Sequence, residues 1–261
     1  MIKVQDLNIK IHHHHILKDI NVTLCHGKVT TVIGVNGSGK STLLKAIAQT
    51  LKPTTGSFLL DGKDIKKMAR KDIAKTMAVL PQIHQAPDDF TVEELISYGR
   101  HPHKQFGARL NIDDFEKINW AVKVTGLDDL KHRKVATLSG GERQRAWIAM
   151  CLVQEPKVLL LDEPTTFLDV AHQLELLSLI RVLNEEHGIT IVMVLHDINQ
   201  AMQYSDEVVI IDQGEIIQKG MASEVVTIEM MAEIFNINGK IIKDECLGYN
   251  IFIPISSRKK S

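Results

Sequence analysis

The residues best suited to chemistry form a glycine-rich loop between a β-branched apolar run and a segment with helical apolar spacing. In residues 34–42, three glycines have the spacing that lets backbone N–H groups turn toward phosphate oxygens at a helix start. Lys40 is expected to reach the β- and γ-phosphates of a nucleotide, and the Ser41 hydroxyl to ligate Mg²⁺. The predicted phosphate-binding residues are Gly34, Val35, Asn36, Gly37, Ser38, Gly39, Lys40, Ser41 and Thr42.

A second feature is a pair of adjacent carboxylates, Asp162 and Glu163, which directly follow the apolar run 158–161. An acidic pair after a strand is, by itself, more often a helix cap or a turn. In a chain with a phosphate-binding loop, however, the pair lies where open α/β sheets bind ligands. Asp162 is then expected to hold Mg²⁺ through its water shell, and Glu163 to polarise an attacking water.

Residues 138–145 supply a second anion-binding helix start, far in sequence from the first. They place Ser139, Gly140 and Gly141 at the beginning of a predicted helix. One nucleotide has no use for both helix starts within one chain. The octapeptide, Leu-Ser-Gly-Gly-Glu-Arg-Gln-Arg, resembles the signature of ABC transporter ATPases, and a plain P-loop kinase or GTPase would have no reason to contain it. In that family, the signature closes over the γ-phosphate of ATP bound to the partner subunit.

The resemblance extends to three single residues that the family uses as switches. Gln82 matches the glutamine that senses Mg²⁺ and links the nucleotide state to a helical insert. Asp169 matches the D-loop aspartate, although Thr166 replaces the more usual serine, and His196 matches the histidine that hydrogen-bonds the γ-phosphate. The implied catalytic residues are Lys40, Gln82, Glu163 and His196; the Mg²⁺ ligands are Ser41, Gln82 and Asp162; the nucleotide contacts include Ser139, Gly140, Gly141 and Asp169.

The sequence departs from the family where an aromatic ring, often Tyr, commonly stacks on adenine. Ile11 at that place is followed by four histidines. We hypothesise that Ile11 or His12 covers the adenine, with reduced discrimination between ATP and GTP. An expression tag, a metal site and a solvated turn are the other interpretations. The turn is favoured, because the run is embedded in strand-like sequence and has no nearby Cys or acidic ligands.

The elements that must position these residues follow from the hydrophobic pattern. Alternation over residues 4–31 predicts a small antiparallel sheet. Buried strands are predicted at residues 29–33, 158–161 and 189–195, and helices at 41–51, 92–98, 113–125, 141–154 and 170–187. A hairpin at residues 215–218 and a helix at about 225–235 follow. This order predicts an α/β fold: a P-loop NTPase (RecA-like) core with an antiparallel β subdomain and an inserted α-helical subdomain.

The length of 261 residues suits one domain that carries an insert. We therefore predict a single ABC ATPase domain over residues 1–261. Residues 1–87 and 141–214 form the nucleotide-binding core with its N-terminal β subdomain. Residues 88–140 form the helical insert, and residues 215–261 form a C-terminal hairpin, helix and tail.

The composition argues against several classes of function. A net charge of −1 provides no field that would attract nucleic acid or an anionic bilayer. Cys25, Cys151 and Cys246 lack paired spacing, which argues against disulfides or a zinc site and fits a reducing compartment. The N-terminus lacks a secretory signal, and the apolar runs are far below the ~20 residues needed to span a bilayer. We therefore expect a cytoplasmic chain that meets the membrane only through a partner.

The resemblance also implies partners and a substrate. The chain is similar to the separate ATPase subunits of importers, which dock on permease subunits at the cytoplasmic face of the membrane. The docking groove is expected near residues 82–90 and the start of the insert. Residues 91–95, 97–103 and 194–201 look like the ATPases of ferric-siderophore, haem and cobalamin importers.

These observations predict an ATP-hydrolysing subunit for ferric-siderophore import. It would form a homodimer with two ATP molecules at its interface, bind permease subunits, and depend indirectly on an extracellular or periplasmic binding protein. Nucleic acid is not an expected partner. Import of haem, cobalamin or another substrate, and a soluble ABC ATPase without a transport role, remain the alternatives.

Overall fold

The computed structural model describes residues 1–105, 108–243 and 248–258. The chain divides into two compact units, Met1–Lys66 with Ile191–Ser261 as the first and Lys67–Thr190 as the second. Cys246, one of the three cysteines considered above, lies outside the described residues. Cys151 is a buried thiol whose pKa is raised by burial to about 12, which makes it a poor nucleophile.

Within the described residues, the strands are β1 (Ile2–Ile11), β2 (His14–Leu24), β3 (Val29–Ile33), β4 (Thr55–Leu60), β5 (Lys63–Asp64), β6 (Met77–Leu80), β7 (Val158–Asp162), β8 (Thr190–Val194), β9 (Glu207–Asp212), β10 (Glu215–Gly220), β11 (Ile237–Lys243) and β12 (Asn250–Ser257). The α-helices of the same described part are α1 (Lys40–Ile47), α2 (Arg70–Thr76), α3 (Val92–Tyr98), α4 (Ile112–Val124), α5 (Gly140–Leu152), α6 (Val170–Glu185), α7 (Ile198–Tyr204), α8 (Ala222–Val225) and α9 (Ile228–Glu233).

The first unit contains the predicted antiparallel sheet, in the order β2-β1-β4-β5. β1 and β2 form a hairpin whose register runs from Ile2 opposite Leu24 to Ile11 opposite His14. Ile2 and Val4, and then Leu7 and Ile9, are buried on β1, so the alternation shifts by one residue where the register with β2 is irregular. This sheet carries Ile11 at the last residue of β1.

The first unit also contains parallel strands that position the phosphate-binding loop. Their order is β10-β9-β3-β8, with β3 parallel to both β8 and β9, and β9 antiparallel to β10. All five residues of β3 are buried, which fits a strand covered on both faces. The loop begins where this strand ends, at Gly34.

The second unit contains the parallel pair β6 and β7, with Met77 opposite Val158 and Leu80 opposite Leu161. Gln82 follows β6 and Glu163 follows β7, so both lie beyond the carboxyl ends of neighbouring strands. The helices of the predicted insert are also here, and α5 contacts both α3 and α4. The α/β alternation predicted from the sequence is therefore present in each unit.

The C-terminal region contains the helix expected around residues 225–235, although it is shorter: α9 spans Ile228–Glu233, and Thr227 caps it by accepting from the N–H of Met230 at 3.1 Å. A further short helix, α8, precedes it at Ala222–Val225 and was not predicted. The hairpin β11–β12 follows, and the side chain of Asn199 on α7 holds it through the N–H and the C=O of Phe252 at 2.8 and 3.1 Å. None of the helices in the described ranges is long and apolar enough to cross a membrane.

Candidate functional site

The glycines of the phosphate-binding loop are required by close packing and by backbone conformation. A Cβ on Gly34 would lie 2.1 Å from the carbonyl oxygen of Ile211. Gly39 has φ of +107°, and its Cβ would lie 2.6 Å from Leu17 Cδ2. The loop therefore packs against its neighbours in a conformation that other residues adopt only with strain.

The start of α1 fits a phosphate ligand. Gly39 stands at its N-cap, and no side chain caps the helix. The ammonium group of Lys40, which is buried, donates to the carbonyl oxygens of Gly34 and Val35 at 2.9 Å each. The Ser38 hydroxyl is also buried and has no hydrogen-bond partner within the described part of the chain. A helix start without a side-chain cap, beside a lysine held by its own loop, suits the binding of an anion.

Gly214, which was not predicted as a site residue, supports this loop from the turn between β9 and β10. Its N–H donates to Ser38 O at 3.0 Å, and its C=O accepts from the N–H of Lys18 at 2.8 Å. A Cβ here would lie 2.2 Å from Ile16 O. The available sequence signal was the Gln-Gly pair after an apolar strand, which indicates a tight turn but not what the turn touches.

The four histidines divide between a turn and a strand. His12, with φ of +55°, and His13 form the turn of the β1–β2 hairpin, whereas His14 and His15 lie on β2. His15 Nε2 lies 2.9 Å from Asn8 Oδ1. Ile11 and His12, the predicted adenine contacts, are both exposed. In the described ranges, no group of three His, Cys, Asp or Glu side chains is arranged to hold a metal ion.

His196, the predicted switch residue, follows β8 in the first unit and is exposed. The next residue, Asp197, caps α7 by accepting from the N–H of Gln200 at 3.0 Å. This cap ends the strand-to-helix turn on which His196 lies. The phosphate-binding loop, Ile11, His12 and His196 thus all belong to the first unit.

The predicted carboxylate pair lies at the end of β7 in the second unit. Asp162 is buried, and Glu163 is half-buried with φ of +53°, a left-handed conformation that is uncommon outside glycine. Gln82 Nε2 donates to Glu163 Oε2 at 2.6 Å, and Thr166 Oγ1 donates to the same oxygen at 3.3 Å. The structure therefore brings two of the predicted catalytic residues, Gln82 and Glu163, into direct contact.

The motif at residues 138–145 begins α5, also in the second unit. Ser139 and Glu142 form a capping box: Ser139 Oγ accepts from the N–H of Glu142 at 3.3 Å, and Glu142 Oε2 accepts from the N–H of Ser139 at 2.8 Å. Asp169 caps the neighbouring α6 by accepting from the N–H of His172 at 3.0 Å. Both predicted nucleotide-facing segments are thus helix starts.

A cleft of about 590 Å³ opens beside Gln82 within the second unit. The rings of His84 and Trp147 contact each other edge to face in its wall, with their centroids 4.7 Å apart. Burial lowers the pKa of His84, so its neutral form is favoured. Ile83 and Phe167, which also line the cleft, are 77% and 94% exposed. The cleft begins at the segment where the sequence predicted a docking groove.

Residues 97–103, which look like those of siderophore, haem and cobalamin importers, have a structural task here. Arg100 is buried and donates to Asp114 Oδ1 at 2.9 Å, Val153 O at 2.8 Å and Glu155 Oε2 at 2.8 Å. Burial alone would raise the pKa of Asp114, but the N–H of Asn111 together with Lys104 and Arg100 lowers it to about 2. This network ties α4 to the end of α5.

Residues 17–166 match the family model described as ABC transporter. The petrobactin import ATP-binding protein FpuC of Bacillus anthracis is 52% identical, over 87% of this chain and 84% of that protein. The iron(3+)-hydroxamate import ATP-binding protein FhuC of Bacillus subtilis is 45% identical, over 96% of this chain and 95% of that protein.

Two solved structures extend the likeness to the fold. One is an inward-facing conformation of a putative metal-chelate type ABC transporter, with a TM-score of 0.85 at 25% identity over 98% of this chain and 97% of the other. The other is a dimeric post-hydrolysis state of the ATP-binding cassette MJ0796 bound to ADP and Pi, with a TM-score of 0.73 at 27% identity over 85% of this chain and 99% of the other.

Proposed function

We propose that this chain, which belongs to the ABC transporter family, is the ATP-hydrolysing subunit of an importer. The importer takes up a ferric siderophore through a separate permease. The observation that carries the ATPase part is the uncapped start of α1 beside Lys40. The iron substrate is supported by the relatives that import iron(3+)-hydroxamate and petrobactin.

In the first unit, residues 34–42 are proposed to bind the phosphates. Lys40 now donates to two carbonyl oxygens of its own loop and would exchange them for the β- and γ-phosphate oxygens. His196 is proposed to hydrogen-bond the γ-phosphate. Ile11 and His12, exposed at the tip of the β1–β2 hairpin, are proposed to cover the adenine.

In the second unit, Glu163 is proposed to accept a hydrogen bond from the attacking water and so to polarise it. Its half-buried carboxylate has a defined orientation, because Gln82 and Thr166 both donate to one of its oxygens. Mg²⁺, when bound, would neutralise charge on the phosphates. Its proposed ligands are Ser41, Asp162 and Gln82.

ABC ATPases work as dimers with permease subunits, and a solved relative with the same fold is a dimer. We place the partner's nucleotide against the starts of α5 and α6, where Ser139, Gly140, Gly141 and Asp169 lie. The permease is proposed to dock in the cleft beside Gln82, where Ile83 and Phe167 expose apolar surface. The chain would thus be held at the cytoplasmic face of the membrane, and a binding protein outside would deliver the iron complex.

The test is iron-limited growth on individual ferric siderophores. A strain that lacks this protein is complemented with the wild type, with Glu163→Gln or with Lys40→Ala. We expect only the wild type to restore growth, while excess free iron supports all strains. In purified protein, Glu163→Gln should bind ATP normally and hydrolyse it about 10²–10⁴ times more slowly. Normal growth of the deletion strain on every siderophore would discard the iron substrate, and a fast Glu163→Gln enzyme would discard the role of Glu163.

A further inference from the structure

His172, on the first turn of α6, contacts the carboxylate of Asp169 through both its backbone and its ring. Its backbone N–H donates to Oδ1 at 3.0 Å, as expected at a helix N-cap. In addition, its ring nitrogen Nδ1 lies 2.8 Å from both Oδ1 and Oδ2. An ionised carboxylate only accepts hydrogen bonds, so Nδ1 must carry the proton. The ring thereby fixes the rotation of a carboxylate that an ordinary cap would leave mobile.

The opposite edge of the same ring packs on α5, the signature helix, which begins at the motif of residues 138–145. A Cβ on Gly141 would lie 2.4 Å from His172 Cδ2 and 2.9 Å from Cγ. The imidazole therefore fills the space that any larger residue at position 141 would need. Gly140 is also close to this segment, since its Cβ would lie 3.3 Å from Leu168 Cδ2. Gly140 thus faces Leu168, just before Asp169, and Gly141 faces the first turn of α6.

Another helix of the same chain shows that the cap alone does not require a histidine. At α7, Asp197 accepts from the N–H of Gln200 at 3.0 Å, the same spacing of three residues. A glutamine suffices at that third position. At α6, the ring adds the two contacts to the carboxylate and the packing on Gly141, so its role exceeds the start of the helix.

We propose that His172 is a positioning residue that locks the Asp169 carboxylate to the start of the signature helix. The two segments would then present one fixed surface to the nucleotide bound by the second copy of the chain. This proposal rests on the proposed function, in which Ser139, Gly141 and Asp169 act on the partner's ATP. It assigns His172 no contact with the nucleotide itself.

Three substitutions separate the hydrogen bond from the ring volume. His172→Asn keeps an N–H donor near the position of Nδ1, His172→Leu keeps apolar volume against Gly141 without a donor, and His172→Ala removes both. We expect the Ala and Leu variants to lose about tenfold in kcat with the KM for ATP changed less than about twofold, because α1 still binds the nucleotide. The Asn variant should recover to within about threefold of the wild type.

The control is His187→Leu, which replaces the exposed histidine just after the same helix and should leave kcat unchanged. The midpoint of thermal unfolding of every variant should lie within a few degrees of that of the wild type. A Leu variant as active as the wild type, or an Asn variant as slow as the Ala variant, would overturn the proposal.

A spectroscopic arm tests the contact without hydrolysis. In ¹⁵N-histidine-labelled protein, the ring resonances of His172 are identified as those that vanish in His172→Leu. At a pH well above the ordinary pKa of histidine, these resonances should show that Nδ1 carries the proton. In Asp169→Ala, the same ring should shift toward the Nε2–H tautomer. An unprotonated Nδ1 in the wild type overturns the His172 proposal alone, whereas a chain that hydrolyses no ATP overturns the proposed function and this proposal with it.

Discussion

The two helices that follow glycine-containing motifs, α1 and α5, begin in different states. α1 follows Gly39, and no side chain caps it. α5 follows Ser139, and its capping box with Glu142 occupies two backbone N–H groups. A helix start leaves up to four N–H donors without intrahelical partners. Side chains of α5 occupy two of these donors, whereas no side chain caps the start of α1.

This difference fits the proposed division of work between them. α1 follows a loop that is already shaped for phosphate in a single chain. The ammonium group of Lys40 is held there by two carbonyl oxygens of that loop. The start of α5 carries a capping box of its own and, in the proposed function, meets ATP only when a second copy approaches. One helix start should therefore control nucleotide binding, and the other should control hydrolysis in the dimer.

The largest effect is expected from breaking the geometry of the α1 start with Gly39→Ala. The backbone there has φ of +107°, and the added Cβ would press on Leu17 Cδ2 at 2.6 Å. We expect a loss of about 1–3 kcal/mol in unfolding free energy and at least a tenfold weaker affinity for ATP. Chemical denaturation and nucleotide titration measure the two.

The matched control is Gly37→Ala in the same loop. Gly37 also has a positive φ, +79°, but its Cβ would meet nothing within 4 Å. Gly37→Ala should lower the unfolding free energy only by the backbone strain, about 1–2 kcal/mol. If both variants bind ATP equally well, close packing around Gly39 is not what shapes the loop.

A smaller effect is expected from Ser139→Ala, which sharpens the comparison from the α5 side. Loss of the cap should cost about 1 kcal/mol of stability, leave ATP binding to the single chain unchanged and lower ATPase activity about tenfold or more. Thr91→Ala is its control, because Thr91 and Glu94 form the same capping box on α3. Equal loss of activity in both variants would show that the cap acts only through stability.

The contrast between α1 and α5 also shows how far the sequence could lead. The pattern around Lys40 and Ser139 predicted both helix starts, and the α/β P-loop NTPase fold and the family are confirmed by the match over residues 17–166 and by the solved relatives. Local signals sufficed because glycine spacing and apolar periodicity are short-range properties. The roles of the individual site residues and the subdomain boundaries stay predictions.

The parts that the sequence did not predict depend on contacts between distant residues. Gly214 supports the phosphate-binding loop from a turn almost 180 residues away, and nothing near it in sequence points to Ser38. Arg100 looked like a family marker, yet its contacts with Asp114 and Val153 make it part of a buried structural network. The short helix α8 was missed because its four residues carry too little periodic signal.

The smallest effect concerns the pH dependence of the α5 cap. The N–H of Ser139, followed by its hydroxyl, lowers the pKa of Glu142 below its ordinary value of 4.5. A carboxylate with a lowered folded pKa stabilises the protein above its unfolded pKa, and this stabilisation is lost as the pH falls through the folded pKa. Because Glu142 is only half-buried and solvent screens its charge, the contribution should be only a few tenths of a kcal/mol. Glu142→Gln keeps an acceptor for the Ser139 N–H but cannot titrate, so its thermal midpoint should fall less than that of the wild type between pH 7 and the acid range.

The control is the affinity for ATP, which depends on α1. Because α1 has no capping carboxylate, ATP affinity should change equally in the wild type and Glu142→Gln over this pH range. A difference in affinity would show that the two helix starts are coupled.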